Sequence, residues 1–375
     1  MNKKVIITGV SGQDGSYMVD YLLKNTNYDI YGMVRRLSVP NHFNLKEALK
    51  NPRFQLVTGD LSDPQSIDKI VGKIKPDYFI NLAAQSFVYA SWELPEQTID
   101  VNATGVMRCL EAIVRHCPNC RFYNAGSSEE FGDVQYSPQD EKHPLRARSP
   151  YGCSKISARQ IVKTYRESFN LYAVQGYLFN HESPRRGIEF VTRKITDGVA
   201  KIYHAIKNNK EFNPIELGNL DSKRDWSHSK DFIDGIWRML NQEKFNPNFP
   251  VGNLMLPGAS QNRLVKNIKE YVLSSNETHT IRELIEKSFS YAGITGSWIG
   301  EKENEQFIIT SDSLGKHDVP LSMVLVKVNP KFYRPADVEL LLGDSNLARK
   351  ELDWCPKYDF NSLVSEMVKS DIENS

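Results

Sequence analysis

A tyrosine and a lysine four residues apart, Tyr151 and Lys155, stand near the start of the run "SPYGCSKISARQIVKTYRESF". Pro150 is a good first-turn residue for a helix, and on a helix this spacing puts phenol and ammonium on one face. An ammonium beside a phenol stabilises the phenolate, so Tyr151 can serve as general base on a hydroxyl whose carbon gives up hydride. Upstream, "RFYNAGSSEEFG" begins as a strand and ends in Ser127, Ser128 and Glu129. Ligand chemistry in a parallel sheet happens beyond the C-terminal ends of its strands, where these polar residues would lie. Tyr-x-x-x-Lys alone is common, and it gains meaning from the serine upstream and from a means of accepting the hydride.

The means is offered by "ITGVSGQDGSY", which spaces Gly9, Gly12 and Gly15 three apart. Val5, Ile6 and Ile7 before it read as a buried parallel strand, and Met18 to Leu23 after it carry apolar residues at helical spacing. Glycines at such a strand-to-helix turn let a pyrophosphate approach the helix N-terminus, or serve turn geometry alone. Arg35 and Arg36 follow the next strand-like run, Ile30 to Val34, where a ribose-reading carboxylate would otherwise stand. They suit a 2′-phosphate, hence NADP rather than NAD, or form a solvated pair. In "VTGDLSD", Asp60 and Leu61 are placed to meet an adenine, and the strand "YFINLAAQS" ends in the small residues Ala83 and Ala84, which leave room for a cofactor.

A chain of 375 residues, 40% hydrophobic and 25% charged, can bury one large core and a smaller one, so two lobes are expected. Forty-seven basic residues against 46 acidic ones leave a net charge of +1, which carries no nucleic-acid footprint. No run approaches the roughly 18 apolar residues that span a membrane. "MNKKVIITGV" resembles a signal peptide only superficially, since its apolar run is short and gives way to Gly-Gln-Asp-Gly, and a cytoplasmic location without a membrane partner is expected. The five cysteines, Cys109, Cys117, Cys120, Cys153 and Cys355, form no disulfide framework. Cys117-Pro-Asn-Cys120 is a redox pair, half a zinc site or a turn; lying between the helical "GVMRCLEAIVRH" and a strand, it reads as the turn. His181 and His228 lack the spacing or clustered carboxylates of metal ligands, and no metal is assigned.

Taken in order, "TGVSGQDGSY", "VRR", "NLAAQS", "FNHESPRRGIEFVTRKIT", "RDWSHSKDF" and "YRPADVELLLGD" resemble the extended short-chain dehydrogenase/reductase family, and within it the GDP-mannose branch of the nucleotide-sugar 4,6-dehydratases. The resemblance covers nearly the whole chain. It implies an α/β fold: a Rossmann-type doubly wound parallel sheet with a smaller mixed α/β C-terminal substrate lobe. Residues 1–180 would form the NADP-binding domain, with later segments returning to it, and 181–375 would be mainly the nucleotide-sugar lobe. Ser127, Tyr151 and Lys155 become the dehydrogenase triad and Glu129 the acid/base that removes the C5 proton. The implied cofactor set is Gly9, Gly12, Gln13, Asp14, Gly15, Arg35, Arg36, Asp60, Leu61, Leu82, Ala83, Ala84, Ser86, Tyr151, Lys155, His181 and Arg186. The implied substrate set is Ser86, Ser127, Asn180, Lys194, Arg224, Arg334 and Asp337; each arginine is alternatively a structural ion pair. Oxidising C4 acidifies the C5 proton, water leaves C6, and hydride returns to C6, so the NADP would be tightly bound and recycled.

Departures from the family pattern bear on the substrate. Asp337 stands where the family has a glutamate implied to read guanine, and Phe87 where it usually has histidine near the sugar. A segment at about 249–271 is extra, and its glycines, proline and asparagines suggest a surface excursion. Glu130 beside Glu129 reads as the bulky position before Phe131 and Gly132, with a proton-transfer role as the alternative. Another GDP- or NDP-sugar, such as a heptose or an N-acetylhexosamine, is the alternative substrate. A C4 epimerase would keep the triad without Glu129, and a non-catalytic nucleotide sensor would have no need of the four residues. The segment from Arg35 to Ser38 resembles the family's loop that reaches a neighbour's cofactor site, which implies a homotetramer or dimer.

Overall fold

The computed structural model describes residues 2–246, 248–249, 265, 267–312, 323–332 and 340–375. Arg334 and Asp337 lie outside the described residues, as does most of the extra segment expected at 249–271. The chain divides into two units, one of Met1–Phe179, Ser229–Asn276 and Gly343–Pro356, the other of Asn180–His228, Glu277–Leu342 and Lys357–Ser375.

In the first unit, short apolar runs form β1 (Lys4–Thr8), β2 (Asp29–Val34), β3 (Phe54–Thr58), β4 (Tyr78–Asn81), β5 (Arg121–Ala125) and β6 (Ala173–Leu178). The chain then leaves to form β7 (Asn180–Glu182), β8 (Ile215–Leu217), β9 (Lys223–Arg224) and β10 (Trp226–His228) of the second unit, and returns as β11 (Val272–Leu273). The seven strands of the first unit pair in parallel in the order β11-β6-β5-β4-β1-β2-β3. Their continuous apolar character follows from burial on both faces. The strand order reverses between β1 and β4, and a ligand crevice opens at the C-terminal ends of strands at such a reversal.

The helices of this unit include α1 (Gln13–Asn25), α2 (Pro64–Ile74), α3 (Gly105–His116) and α4 (Pro150–Phe169). One face of the sheet, with Ile6, Phe79 and Phe122, shares an apolar cluster with Ile67 and Val71 of α2, Val106 and Leu110 of α3, and Ala158 and Val162 of α4. Starts and stops are written locally. Asp63 accepts from the Gln65 N–H ahead of Pro64, Ser149 accepts from the Gly152 N–H ahead of Pro150, and Asn170 ends α4 in the left-handed region at φ 56°. The Cys117–Cys120 stretch is a turn closed by a 2.8 Å bond from the Cys120 N–H to the Cys117 carbonyl, and both thiols are free.

The second unit is mixed. It adds α5 (Val191–Lys207) between β7 and β8, and later β12 (His279–Thr280), β13 (Ile294–Ile299), β14 (Gln306–Asp312), β15 (Val324–Val328) and β16 (Leu340–Leu341). Its strands form sheets ordered β13-β14-β15-β8, β12-β9-β16 and β10-β7. Its core joins Ile195, Val199 and Ile202 to Leu284, Phe289, Phe307, Val326 and Leu363. Among the described residues no helix is long and apolar enough to cross a membrane, and no group of three or more His, Cys, Asp or Glu is placed to hold a metal ion.

Candidate active site

Beyond β1 the chain turns through Gly9, at φ +64°, and enters α1 with Gly12 at its N-terminus. A Cβ on Gly9 would lie 2.7 Å from the Ala83 nitrogen, and one on Gly15 would lie 2.3 Å from the Gly9 carbonyl oxygen. The turn therefore packs backbone on backbone, and Gly12 begins the helix without a side chain, which leaves its positive end approachable by an anion. This cradle fits the pyrophosphate of a dinucleotide. Gln13 is buried, and the Asp14 carboxylate accepts from the Ser229 hydroxyl at 2.7 Å and the Gln13 amide at 3.2 Å, tying the first turn of α1 to Ser229.

Arg35 and Arg36 are exposed immediately after β2. Asp60 lies across from them: burial pulls its carboxyl pKa up, but bonds from the Ser62 N–H and hydroxyl, with Arg35 and Arg108 nearby, win and leave it below the usual range. The Leu61 side chain is buried in the α2–α3 cluster rather than open to a base, and its carbonyl accepts from Arg108 at 2.9 Å. Leu82, Ala83 and Ala84 are half-buried and Ser86 is exposed.

The loop after β5 is built as a cap. The Ser127 hydroxyl oxygen accepts from the Glu129 N–H at 3.2 Å, while the Glu130 carboxylate accepts from the Ser127 N–H at 2.8 Å. A Cβ on Gly152 would stand 2.7 Å from the Glu129 carbonyl oxygen, so glycine there lets the first turn of α4 close on this loop. Tyr151 and Lys155 of α4 are both buried, with the Lys155 ammonium 5.7 Å from the centre of the Tyr151 ring and donating to the Ala125 carbonyl at 2.8 Å. Burial pushes the Lys155 pKa down to about 8, against the upward pull of Glu130 and with the help of Arg159. The first unit thus brings Ser127, Glu129, Tyr151 and Lys155 to one end of the sheet, the end at which the glycine turn also lies.

Sequence reasoning missed what supports them. One register row crosses four neighbouring strands through Thr8, Asn81, Asn124 and Gln175. Thr8 donates to Asn81 at 2.5 Å, Asn81 to Asn124 at 2.7 Å, and Asn124 to Gln175 at 2.6 Å. At one end the Leu82 and Ala83 N–H groups donate to the Thr8 hydroxyl; at the other, the Gln175 amide donates to Glu130 at 3.2 Å and to the Lys155 carbonyl at 3.0 Å. The signal lies in Thr8, Asn81, Asn124 and Gln175 themselves, each a buried polar residue next to apolar ones in its strand.

The second unit carries the other expected binding residues. Asn180 and His181 lie on β7, paired with Trp226 and Ser227 of β10. The Arg186 guanidinium lies 3.5 Å over the Phe190 ring and 3.1 Å from Glu182. Lys194 donates to the Glu216 carbonyl at 2.6 Å, and burial lowers its pKa against the pull of Glu216. Arg224 lies half-buried on β9, opposite His279.

Sheet order, glycine turn and mixed second unit together match the fold of the extended short-chain dehydrogenases/reductases. Solved structures share this fold over essentially their whole length: a dTDP-glucose 4,6-dehydratase of Streptomyces venezuelae with NAD and TYD bound matches with TM-score 0.75 at 18% identity, covering 99% of this chain and 97% of that one. RMD of Pseudomonas aeruginosa complexed with NADPH matches with TM-score 0.69 at 19% identity, covering 100% of both. The family model described as GDP-mannose 4,6 dehydratase matches residues 6–251 and 260–367, and the chain belongs to that family. It is 42% identical to the GDP-mannose 4,6 dehydratase of Drosophila melanogaster over 99% of this chain and 87% of the relative. It is 41% identical to that of Homo sapiens over 98% and 91%, and 39% identical to that of Vibrio cholerae over 100% and 95%. It is therefore an enzyme of the NAD(P)-dependent dehydratase and epimerase class. The family match leaves out 252–259, inside the segment expected to be extra.

Buried Lys155 gives a pH signature independent of turnover. Its folded pKa of about 8 lies below the ordinary 10.5. Between these values the unfolded chain holds a proton that the folded chain has lost, so stability rises with pH through the window, while below it the burial penalty is fully present. Urea unfolding of the wild type against Lys155→Met should show the difference rising in favour of the wild type from pH 8 to 10.5, by on the order of 3 kcal/mol. A difference that stays flat would show that Lys155 is not held in this environment.

Proposed function

We propose that the protein converts GDP-mannose to GDP-4-dehydro-6-deoxy-mannose as an NADP-dependent hydro-lyase. The observation that carries this reading is the Ser127–Glu129 loop closed on the first turn of the Tyr151–Lys155 helix, in a chain of the GDP-mannose 4,6 dehydratase family.

Tyr151, with the Lys155 ammonium beside its ring, takes the proton of the C4 hydroxyl, and the Ser127 hydroxyl orients that oxygen. With C4 a ketone, the C5 proton is acidic, and the Glu129 carboxylate removes it. The proton taken by Glu129 goes to the C6 hydroxyl, which leaves as water and returns Glu129 to its carboxylate; when hydride arrives at C6, C5 takes up a proton from solvent, balanced by the one Tyr151 took from the C4 hydroxyl and releases to solvent. A nicotinamide held there would supply one service, accepting hydride from C4 and giving it back to C6, so that it would not be consumed. Gly9, Gly12 and Gly15 would hold its pyrophosphate, with Ala83 and Ala84 as the wall beside it. Asn180, Lys194, Arg224 and Arg334 would hold the nucleotide diphosphate, and Asp337 the guanine edge, whose N1–H and amino group a carboxylate can accept.

Incubation with GDP-mannose, a second GDP-sugar, UDP-hexose and dTDP-hexose, read by mass spectrometry, tests the substrate. Loss of one water, fastest from GDP-mannose, is expected; faster loss from a UDP- or dTDP-sugar overturns the guanine assignment, and a faster GDP-sugar overturns the mannose. In the same assay Glu129→Gln should oxidise C4 and accumulate reduced cofactor without losing water, and normal dehydration by that variant would remove Glu129 from the mechanism.

The cofactor preference rests on Arg35 and Arg36, exposed at the end of β2 where a 2′-phosphate would stand. Titration calorimetry should find NADP bound at least ~10-fold more tightly than NAD, the worth of one charge-assisted contact, with the difference lost in Arg35→Ala/Arg36→Ala. Equal affinities in the wild type contradict it.

Leu37 and Val39, exposed beyond that pair, support a segment that reaches a second copy, giving a homotetramer or dimer. Light scattering at micromolar concentration should return a multiple of the 42.9 kDa chain mass, and a monomer rules the assembly out.

A further inference from the structure

Glu130 is fully buried beside half-buried Glu129, and both of its carboxylate oxygens are hydrogen-bonded. One oxygen accepts from the Ser127 N–H at 2.8 Å, the Gln175 amide at 3.2 Å and the Arg159 Nη2 at 3.1 Å; the other accepts from the Arg159 Nε at 2.5 Å. A carboxylate with no exposed surface, held by four bonds, is turned into the protein rather than toward a substrate, which argues against the proton-transfer alternative for Glu130. Arg159, one turn beyond Lys155 on α4, spends its remaining N–H groups on the Gln175 and Gly176 carbonyls and on Glu270 at 2.6 Å, with its guanidinium 3.4 Å over the Tyr177 ring. A Cβ on Gly126 would lie 2.7 Å from the Glu130 oxygen and 2.8 Å from Arg159, so the residue before Ser127 has no room for a side chain and its backbone packs directly on the pair.

A buried ion pair adds little to stability compared with an apolar pair of similar volume, so stability alone is a weak account of this one. Its geometry has a specific outcome. The same Glu130 oxygen fixes the Ser127 backbone directly and, through Gln175, the Lys155 carbonyl. We propose that Glu130, clamped by Arg159, is a positioning residue for the dehydratase reaction, holding the Ser127–Glu129 loop in register with Lys155; the role in turnover rests on the function proposed above. The pair also sets the field at the site. The charged groups facing Lys155 are Glu130 from the loop and Arg159 from its own helix, and those facing the pair are Lys155, Glu270, Tyr177 and Tyr123.

Two variants of the full-length enzyme test this. Glu130→Gln keeps the shape but removes the charge that supports the Lys155 ammonium. It should lower kcat roughly tenfold to hundredfold, the scale of a small misplacement of reacting groups, with KM for the nucleotide sugar little changed. The alkaline limb of its kcat profile should move to lower pH. The double variant Glu130→Leu/Arg159→Leu replaces the pair by apolar groups and should fold even where an unpaired Arg159 would not. It removes opposing charges together, so its alkaline limb should lie near that of the wild type while kcat stays low. In both variants hydrogen exchange at residues 126–130 should quicken. Wild-type kcat and limb in Glu130→Gln, or unchanged exchange in the double variant, overturns the inference. If the wild type dehydrates no nucleotide sugar, the proposed function falls, and the exchange measurement still decides whether Glu130 holds the loop.

Discussion

A single hydrogen-bonded row, laid across the strands at their C-terminal ends, is the constraint from which the candidate site takes its shape. Thr8, Asn81, Asn124 and Gln175 lie side by side in parallel register, and each side chain satisfies the next. Buried polar groups are costly when unpaired, so shifting any one strand by a residue would strand several of them at once. The row therefore locks the relative height of four strands. Its two ends touch the backbone beside the glycine turn and the backbone of the Ser127–Lys155 region, so the cofactor wall and the proposed catalytic loop share one ruler.

Charge is placed with the same economy. Lys155 is buried against a carbonyl, and the nearest carboxylate, Glu130, answers to Arg159 rather than to the lysine. The lysine consequently feels an anion without being neutralised by one. The ammonium donates to the Ala125 carbonyl and stands 5.7 Å from the centre of the Tyr151 ring, and burial keeps water from screening it.

Much of this was legible in the sequence because its causes are local. Gly9 needs a left-handed backbone and Gly15 a bare Cα, and both demands fall within one turn of chain. Tyr151 and Lys155 are a helical turn apart, and Pro150 with Ser149 announces the helix. What stayed hidden depends on partners far along the chain. Nothing near Glu130 reveals that Arg159 will meet it, and nothing in "VTGDLSD" reveals that Leu61 faces the core while Asp60 stays at the surface. Asp14, one of the expected cofactor residues, is tied to Ser229, 215 positions away. The return of Ser229–Asn276 and Gly343–Pro356 to the sheet unit likewise lacks a local marker, because each piece reads as an ordinary helix or strand.

The bond from Arg159 to Glu270 spans 111 residues, and Arg166 reaches the same carboxylate across 104. Glu270 lies in the second block of the family match, two residues before β11, the edge strand. On the ribosome, then, the helix bearing Tyr151 and Lys155 emerges with two buried arginines whose shared counter-charge has not yet been synthesised. The nascent sheet unit must wait through the Asn180–His228 segment of the second unit and much of its own returning segment before these charges balance, so the site closes only after β1 to β6 have all been made.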